Sequence, residues 1–288
     1  GMCDPLTGPD VMRTIAGRGV TCFALELLPR TTRAQRMDVL SSMATVAGYK
    51  AVLLAADRLP RMFPMLMTAA GTTTPARVFV IGAGVAGLQA IATARRLGAV
   101  VQAYDVRPAA REEVESLGAR FIELDLETPE DDGRGGYAEA RDEAFYRKQR
   151  EMMTRVVHES DVVITTAAVP GKTAPVLVTD QMVSGMERGS VIVDLAAERG
   201  GNCELTEPGE TITAHEVTIV GPINLPATIP YHASQMLSRN ITAFLKHLAP
   251  EGTLDPERDD QIIRETLVTR NGEVVHEKVR EMLESNAS

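Results

Sequence analysis

The chain has 288 residues, of which 44 % are hydrophobic, enough for one large globular domain or two modest ones. Its net charge of −9 excludes non-specific binding to nucleic acid or anionic lipid, because both depend on a basic surface that releases counterions. Three widely spaced cysteines favour a reducing, cytoplasmic compartment over a disulfide framework.

The N-terminal segment has no basic start followed by an apolar core, so no secretory signal peptide is predicted. No stretch approaches the roughly 18 apolar residues that a membrane span needs, so we expect no direct membrane insertion. The first predicted strand covers 20–25, and a helical region follows over 34–59, broken near Gly48. We predict that residues 1–50 are the remnant of a first α/β domain with a connecting helix.

From residue 77 onward, short apolar runs alternate with helical patterns. Several of these runs are apolar at consecutive positions, as parallel strands buried on both faces by helices are. We therefore predict a Rossmann-type, doubly wound parallel sheet in a nucleotide-binding domain that spans residues 51–230. The predicted strands are 78–81, 100–104, 120–122, 162–164, 191–193 and 217–220.

A helix is predicted between the first two of these strands, because apolar residues recur every three positions from Val85 to Leu97. Arg95 and Gly98 mark its C-terminal end. Residues 125–143 are acidic and rich in glycine, so a long exposed loop is predicted there. Loops of this kind are usually either functional lids or disordered segments.

The last predicted helix has one apolar face, made by Leu237, Ile241, Phe244, Leu245 and Leu248. The chain then becomes charged, and we expect it to form only a short hairpin at 269–272. Residues 231–288 are therefore predicted to be a helix that returns to the first domain, followed by a charged tail.

The sequence Gly82-x-Gly84-x-x-Gly87 is the strongest functional motif. Three glycines at this spacing often mark only a turn, but here they follow a buried strand and open a helix, as in the dinucleotide-binding fingerprint. Gly82 permits the tight turn, Gly84 leaves room for a diphosphate, and Gly87 lets the helix pack close to the strand. The backbone N–H groups at the start of the helix are predicted to bind the diphosphate of NAD(H).

Asp105 ends the next strand, 23 residues after Gly82, where the fingerprint has a carboxylate that accepts hydrogen bonds from the adenosine ribose. Its negative charge would repel a 2′-phosphate, so we predict a preference for NAD over NADP. Arg107 lies two residues further on. Two interpretations stay open for it: a ligand of a phosphate, or an exposed arginine at the start of a loop.

Two other patterns are not interpreted as sites. Gly171-Lys172-Thr173 resembles the end of a P-loop, but Thr166 stands where that motif has its first glycine. The five histidines have no metal-ligand spacing with cysteine or carboxylate, so no metal site is predicted.

Four blocks of the sequence are recognisable: MTAAG at 67–71, RVFVIGAGVAGLQAIATA at 77–94, TTA at 165–167 with PGK at 170–172, and AERGGNC at 197–203. Together they resemble the NAD(H)-binding alpha subunit of proton-translocating nicotinamide nucleotide transhydrogenase, a family that shares its fold with alanine dehydrogenase. The resemblance implies a subunit that binds NADH outside the membrane and transfers hydride to NADP⁺ on a separate NADP(H)-binding subunit. It also implies a membrane-spanning partner that carries protons, a peripheral position at the inner membrane through these partners, and a homodimer.

The resemblance also assigns site residues. The segment 29–41 matches the loop that positions the nicotinamide, with contact positions Arg30, Gln35, Asp38 and Ser41. Without the family, Arg30 and Asp38 would be one charged pair at a solvated helix start. Gly136 and Tyr137 match the mobile lid over the nucleotide, although an acidic insertion is the alternative interpretation. The nucleotide-binding positions are Gly82, Gly84, Val85, Ala86, Gly87, Asp105, Val106, Arg107, Thr165, Thr166 and Ala167.

The chain departs from the family pattern before the strand at 20–25, where the family has about a hundred further residues that build most of a first α/β domain. Function carries over intact if the whole protein has those residues ahead of this sequence. A chain that is naturally this short would instead favour a non-catalytic NAD-binding module. Alanine dehydrogenase is a further alternative, but its substrate-binding lysine and catalytic histidine lie in the missing region, and Glu198 stands where it has a catalytic aspartate.

Overall fold

The structure is a computed structural model, and it describes residues 1–123, 143–168, 173–256 and 258–285. The chain divides into two compact units. The first unit combines Gly1–Met43 with Pro230–Ser288, and the second unit is the continuous segment Ala44–Ile229. The predicted lid residues Gly136 and Tyr137 lie outside the described residues.

Helices and strands alternate through most of the described chain. The helices are α1 Pro9–Gly17, α2 Val39–Arg58, α3 Val85–Arg96, α4 Ala110–Ser116, α5 Glu143–His158, α6 Asp180–Ser184, α7 Pro230–Leu248, α8 Gln261–Thr266 and α9 Glu277–Ser285. The strands are β1 Cys22–Phe23, β2 Leu66–Thr68, β3 Gly71–Thr73, β4 Arg77–Ile81, β5 Val100–Tyr104, β6 Arg120–Phe121, β7 Val162–Thr165, β8 Val191–Asp194, β9 Thr211–Ala214, β10 Val217–Val220, β11 Leu267–Arg270 and β12 Glu273–Val274.

Among the described residues, seven strands form the main sheet of the second unit, in the spatial order β6-β5-β4-β7-β8-β10-β9. Neighbouring strands pair in parallel except β9, which is antiparallel to β10. Counted from β4, the parallel strands follow the order 3-2-1-4-5-6 of the dinucleotide-binding fold. The strand order reverses between β4 and β7, where such sheets bind ligands. The Rossmann-type prediction is confirmed, and each of the predicted strands is present.

The central strand β4 shows why its sequence is apolar at consecutive positions. Val78 and Val80 are buried on one face of the sheet, in the same core as Ile91 of α3. Phe79 and Ile81 are buried on the other face, in a separate core. Full burial of a side chain such as Phe79 contributes about 1.5–3 kcal/mol. Helices therefore cover both faces of β4, as the sequence predicts.

Helix α2 differs from the prediction of a break near Gly48. The helix runs through Gly48 without interruption, and the break falls at Asp38, after a 3-10 turn over Thr32–Met37. A Cβ atom at Gly48 would lie only 2.1 Å from the carbonyl oxygen of Ala86, at the start of α3. Gly48 is therefore a close-contact residue between two helices and not a helix breaker.

Helix α2 is also long and apolar enough to cross a membrane by length and composition, with 20 residues and a mean hydropathy of 1.5. The prediction that no stretch approaches this limit is wrong. A core helix of a globular domain passes the same test, because burial selects the same side chains. Ala51, Val52 and Ala55 of α2 are fully buried in the core of the second unit, which accounts for the composition of that part of the helix.

The first unit contains an antiparallel sheet with the strand order β1-β11-β12. The strand predicted over 20–25 is shorter than expected, because β1 covers only Cys22–Phe23 and a 3-10 turn follows over Leu25–Leu27. The pairing between β1 and β11 changes register between Cys22 and Phe23. Such an irregularity bends the strand and ends its ladder, which accounts for the short β1.

The C-terminal part of the chain is more structured than predicted. The hairpin of β11 and β12 is confirmed, with Asn271 and Gly272 at φ 50° and 88°, as a type I′ turn requires. The prediction that only this hairpin forms is wrong, because α8 and α9 flank it. On α7, Phe244 and Leu248 are buried but Leu245 is 50 % exposed, so the apolar face is narrower than predicted.

Candidate nucleotide-binding site

The glycine turn between β4 and α3 joins three strand ends. Gly82 has a φ of +97°, a left-handed conformation that favours glycine. Its amide donates to the carbonyl oxygen of Tyr104 on β5 at 2.8 Å. Its carbonyl oxygen accepts a hydrogen bond from Thr166 Oγ1, just after β7, at 3.0 Å. The turn is therefore fixed to both strands that flank β4.

The two other glycines of the motif have different surroundings. A Cβ atom on Gly87 would lie 1.8 Å from the carbonyl oxygen of Gly82, so Gly87 allows the close approach of α3 to the turn. A Cβ atom on Gly84 would have no heavy atom within 4 Å. Within the described chain, no side chain caps the N-terminus of α3. The amides of Val85 and Ala86 thus border an open space that fits a diphosphate.

The carboxylate of Asp105 lies directly beside this turn, at the end of β5. Its Oδ2 accepts a hydrogen bond from the amide of Ala83 at 2.7 Å, and its Oδ1 accepts one from the amide of Arg107 at 2.8 Å. Asp105 is 9 % exposed, so its bond to Ala83 is shielded from water. The structure therefore brings the predicted carboxylate and the predicted glycine turn together.

Arg107 differs from the interpretation as an exposed arginine. Its side chain is 22 % exposed and makes a bidentate ion pair with Asp105, with Nε 3.0 Å from Oδ1 and Nη2 3.1 Å from Oδ2. The hydrogen bond to Asp105 raises the pKa of Arg107 and outweighs the opposing effect of burial. In this conformation the guanidinium compensates the negative charge that was expected to repel a 2′-phosphate.

Residues 165–167, at the end of β7, form a further edge beside the glycine turn. Thr165 is fully buried, and its hydroxyl donates to Asp194 Oδ1 at 2.8 Å. The side chain of Asn202 accepts a hydrogen bond from the amide of Ala167 at 2.9 Å and donates to its carbonyl oxygen at 2.8 Å. The backbone of this edge is therefore fixed from the neighbouring strand β8 and the loop that follows it.

Asp194 and Asn202 are support residues that the sequence analysis did not identify. Asp194 is fully buried, so its charge needs internal hydrogen bonds. It accepts them from the hydroxyls of Thr165 and Thr206 and from the amides of Ala196, Asn202 and Cys203. The sequence signal that could have found it is an aspartate directly after the apolar run 191–193, at the carboxyl end of a parallel strand.

The residues assigned to the nicotinamide share one segment of the first unit. Arg30 and Gln35 are exposed. Asp38 and Ser41 contact each other, because Asp38 accepts hydrogen bonds from the Ser41 amide at 2.9 Å and from the Ser41 hydroxyl at 2.7 Å. Asp38 therefore caps the N-terminus of α2, a structural role in addition to the one that the resemblance implies.

The histidines make separate contacts. His215 lies 2.7 Å from Asp180, and His247 lies 3.0 Å from Asp260. Within the described ranges, no group of histidine, cysteine and acidic side chains has the arrangement of a metal site. Gly171 and Lys172 lie outside those ranges.

Two family models match the chain. The model "Alanine dehydrogenase/PNT, C-terminal domain" matches residues 51–277, and the model "Alanine dehydrogenase/PNT, N-terminal domain" matches residues 1–47. An NAD(P) transhydrogenase subunit alpha from Rhodospirillum rubrum is 50 % identical over 274 residues, which cover 94 % of this chain and 71 % of that protein.

The solved structure of a transhydrogenase from Sinorhizobium meliloti is similar, with a TM-score of 0.82 and 45 % identity over 96 % of this chain and 72 % of that one. An alanine dehydrogenase from Bacillus subtilis is 26 % identical over 279 residues, which cover 94 % of this chain and 68 % of that protein. The resemblance to the transhydrogenase alpha subunit is confirmed. The lower identity disfavours alanine dehydrogenase.

Proposed function

Because the chain belongs to the alanine dehydrogenase/PNT family, we propose that it is the NAD(H)-binding alpha subunit of a proton-translocating NAD(P) transhydrogenase. The observation that carries the proposal is the open turn at Gly84, where the uncapped start of α3 meets the carboxylate of Asp105. This pairing suits a diphosphate that is joined to a ribose. It occurs at the point where the strand order of the sheet reverses.

In the proposed complex, the amides of Val85 and Ala86 bind the diphosphate, and Gly84 leaves space for it. Asp105 accepts hydrogen bonds from the adenosine ribose. Both of its oxygens already accept bonds from Arg107, so ribose binding requires the guanidinium to give up part of its bidentate contact. The other nucleotide contacts in this proposal are Gly82, Gly87, Val106, Thr165, Thr166 and Ala167.

Bound NADH supplies a hydride, which NADP⁺ on a partner subunit accepts. No side chain needs to donate or accept a proton in such a transfer, so the chain contributes positioning and exclusion of water. The reacting rings must approach to about 3–3.5 Å in the correct orientation. We propose that Arg30 and Gln35 hold the carboxamide, that Asp38 and Ser41 complete the contact, and that a lid at 136–137 closes over the nucleotide.

The assembly is also part of this proposal. The partners are an NADP(H)-binding subunit and a membrane-spanning subunit, and the chain is a homodimer at the cytoplasmic side of the inner membrane. Hydride transfer is Re/Si-specific and depends on these partners. Residues 51–230 form the NAD-binding domain, while 1–50 and 231–288 contribute to the other domain.

The test is to mix the purified chain with its NADP(H)-binding partner subunit and to follow hydride transfer from NADH to an NADP⁺ analogue. Turnover supports the proposal. Tight binding of NADH without turnover would indicate a non-catalytic binding module. A rate that depends on pyruvate and ammonium would indicate an alanine dehydrogenase.

A further inference from the structure

Residues 30–41, here called the positioning segment, are anchored within the first unit. Ala34 and Met37 are buried in one apolar cluster with residues of α7 and α8. Arg30 and Gln35 are exposed. Apolar burial is non-directional, so it sets the depth of the segment but not its exact orientation.

Two polar side chains from the C-terminal part of the first unit supply directional contacts. Asn240 of α7 is 6 % exposed, and its Nδ2 donates to the carbonyl oxygen of Arg36 at 2.9 Å. Asp260, directly before α8, accepts a hydrogen bond from Arg33 Nη2 at 2.5 Å. Arg33 and Arg36 lie on either side of Gln35, so the two contacts hold the chain before and after a residue assigned to the nicotinamide.

Asp260 is itself held in a defined place. Its Oδ1 accepts a hydrogen bond from the amide of Ile262, which caps α8, at 2.9 Å, and it lies 3.0 Å from His247 Nε2. Arg258 donates to the carbonyl oxygen of His247 at 2.7 Å. Burial would raise the pKa of Asp260, but the hydrogen bonds from His247, Arg33 and Ile262 outweigh it and keep the pKa well below its usual value. The carboxylate is therefore charged and fixed before any nucleotide binds.

We propose that Asp260 and Asn240 are positioning residues for hydride transfer, which hold the positioning segment so that Arg30 and Gln35 meet the nicotinamide in one orientation. This inference rests on the proposed function. Hydride transfer is sensitive to small displacements of the reacting atoms. Loss of one contact should therefore slow the chemical step more than it weakens NADH binding, because the diphosphate and the ribose are bound by other residues.

The variant Arg33→Ala isolates this role. Asp260→Ala would also remove the cap of α8 and a partner of His247, so it would weaken the fold itself. Arg33 is 67 % exposed, and its removal breaks the link to the segment at little cost in stability. The matched control is Arg264→Ala, because Arg264 is 65 % exposed and pairs with Asp259 at 3.3 Å, outside the positioning segment.

The rates are measured on the full chain in complex with its NADP(H)-binding partner subunit. For Arg33→Ala we expect kcat to fall about 5-fold, the upper range for an exposed ion pair, while the Kd for NADH changes less than about 2-fold. Arg33→Lys keeps a positive charge on a long side chain and should recover part of the lost kcat. Arg264→Ala should keep the wild-type kcat and Kd.

Hydrogen–deuterium exchange of the nucleotide-free chain gives a readout that does not depend on activity. The amides of Ala34 and Asp38 are hydrogen-bonded within the segment, to the carbonyl oxygens of Thr31 and Gln35. In Arg33→Ala their exchange should be about 2- to 5-fold faster, with no change in Arg264→Ala.

Equal kcat and equal exchange in the two variants would overturn the inference. A lower Tm in Arg33→Ala, with kcat and NADH affinity reduced in proportion, would also overturn it, because that result indicates a purely structural role. A wild-type chain that binds NADH without turnover would refute the proposed function, and the positioning role with it.

Discussion

Replacing Gly84 by alanine should weaken nucleotide binding without weakening the fold. The φ of −74° and ψ of −170° at Gly84 are accessible to alanine, and the added Cβ atom would have no heavy atom within 4 Å. Gly87→Ala is the contrasting variant, because its Cβ atom would lie 1.8 Å from the carbonyl oxygen of Gly82. The two glycines of one motif therefore separate binding from stability.

The structure sets the expected magnitudes. Gly84→Ala should cost less than about 1 kcal/mol of unfolding free energy, because alanine is a poorer N-cap residue than glycine but meets no clash. Gly87→Ala should cost about 1–3 kcal/mol or more, because α3 has to move away from the turn. At Gly84 the new methyl group occupies the approach path of the diphosphate, so NADH affinity should fall at least about 10-fold, or about 1.4 kcal/mol.

Urea unfolding measures stability, and a fluorescence titration with NADH measures the Kd. Gly17→Ala is the matched control, because Gly17 is a helical residue of α1 whose Cβ atom would also have nothing within 4 Å and which lies outside the motif. Wild-type NADH affinity in Gly84→Ala would refute the assignment of the diphosphate to this turn. A loss of stability as large as that of Gly87→Ala would refute the open geometry.

Gly48→Ala should lower both Tm and NADH affinity, because its Cβ atom would lie 2.1 Å from the Ala86 carbonyl oxygen; an unchanged thermal melt contradicts this packing. Asp105→Asn should keep an acceptor for the Ala83 amide yet weaken NADH binding about 10-fold, and parallel titrations should show a smaller preference for NADH over NADPH. The lowered pKa of Asp260 stabilises the folded state above the unfolded carboxyl pKa of about 4, and this stability is lost as the pH falls below that value. Urea midpoints of wild type and Asp260→Asn should therefore converge between about pH 6 and pH 2, and a constant difference would contradict the shift.

The main sheet and the glycine turn could be predicted because their signals are local. Four consecutive apolar residues at 78–81 predict a strand buried on both faces, and the glycines after it predict the turn. Asp105 follows from a fixed spacing within the same β-α-β unit. The helices α8 and α9 were missed because each is short and charged, with few apolar residues to show a period.

Gly48 shows where local rules mislead. A glycine within a helical pattern suggests a break, but its reason here is a backbone oxygen of α3, 38 residues further along the chain at Ala86. Asp38 ends the preceding 3-10 turn and caps α2, so the actual break has its own local signal, an aspartate three residues before Ser41.

The sequence by itself determined the parallel sheet, the open turn at Gly84 and the carboxylate beside it, because each depends on residues at short, fixed separations. Only the tertiary structure decided that Asn202 fixes Ala167, that Asp260 holds Arg33, and that the thiols of Cys3 and Cys22 lie 3.6 Å apart. These pairs are far apart along the chain. Their approach is set by how apolar faces pack, and no pattern in the neighbouring residues encodes that distance.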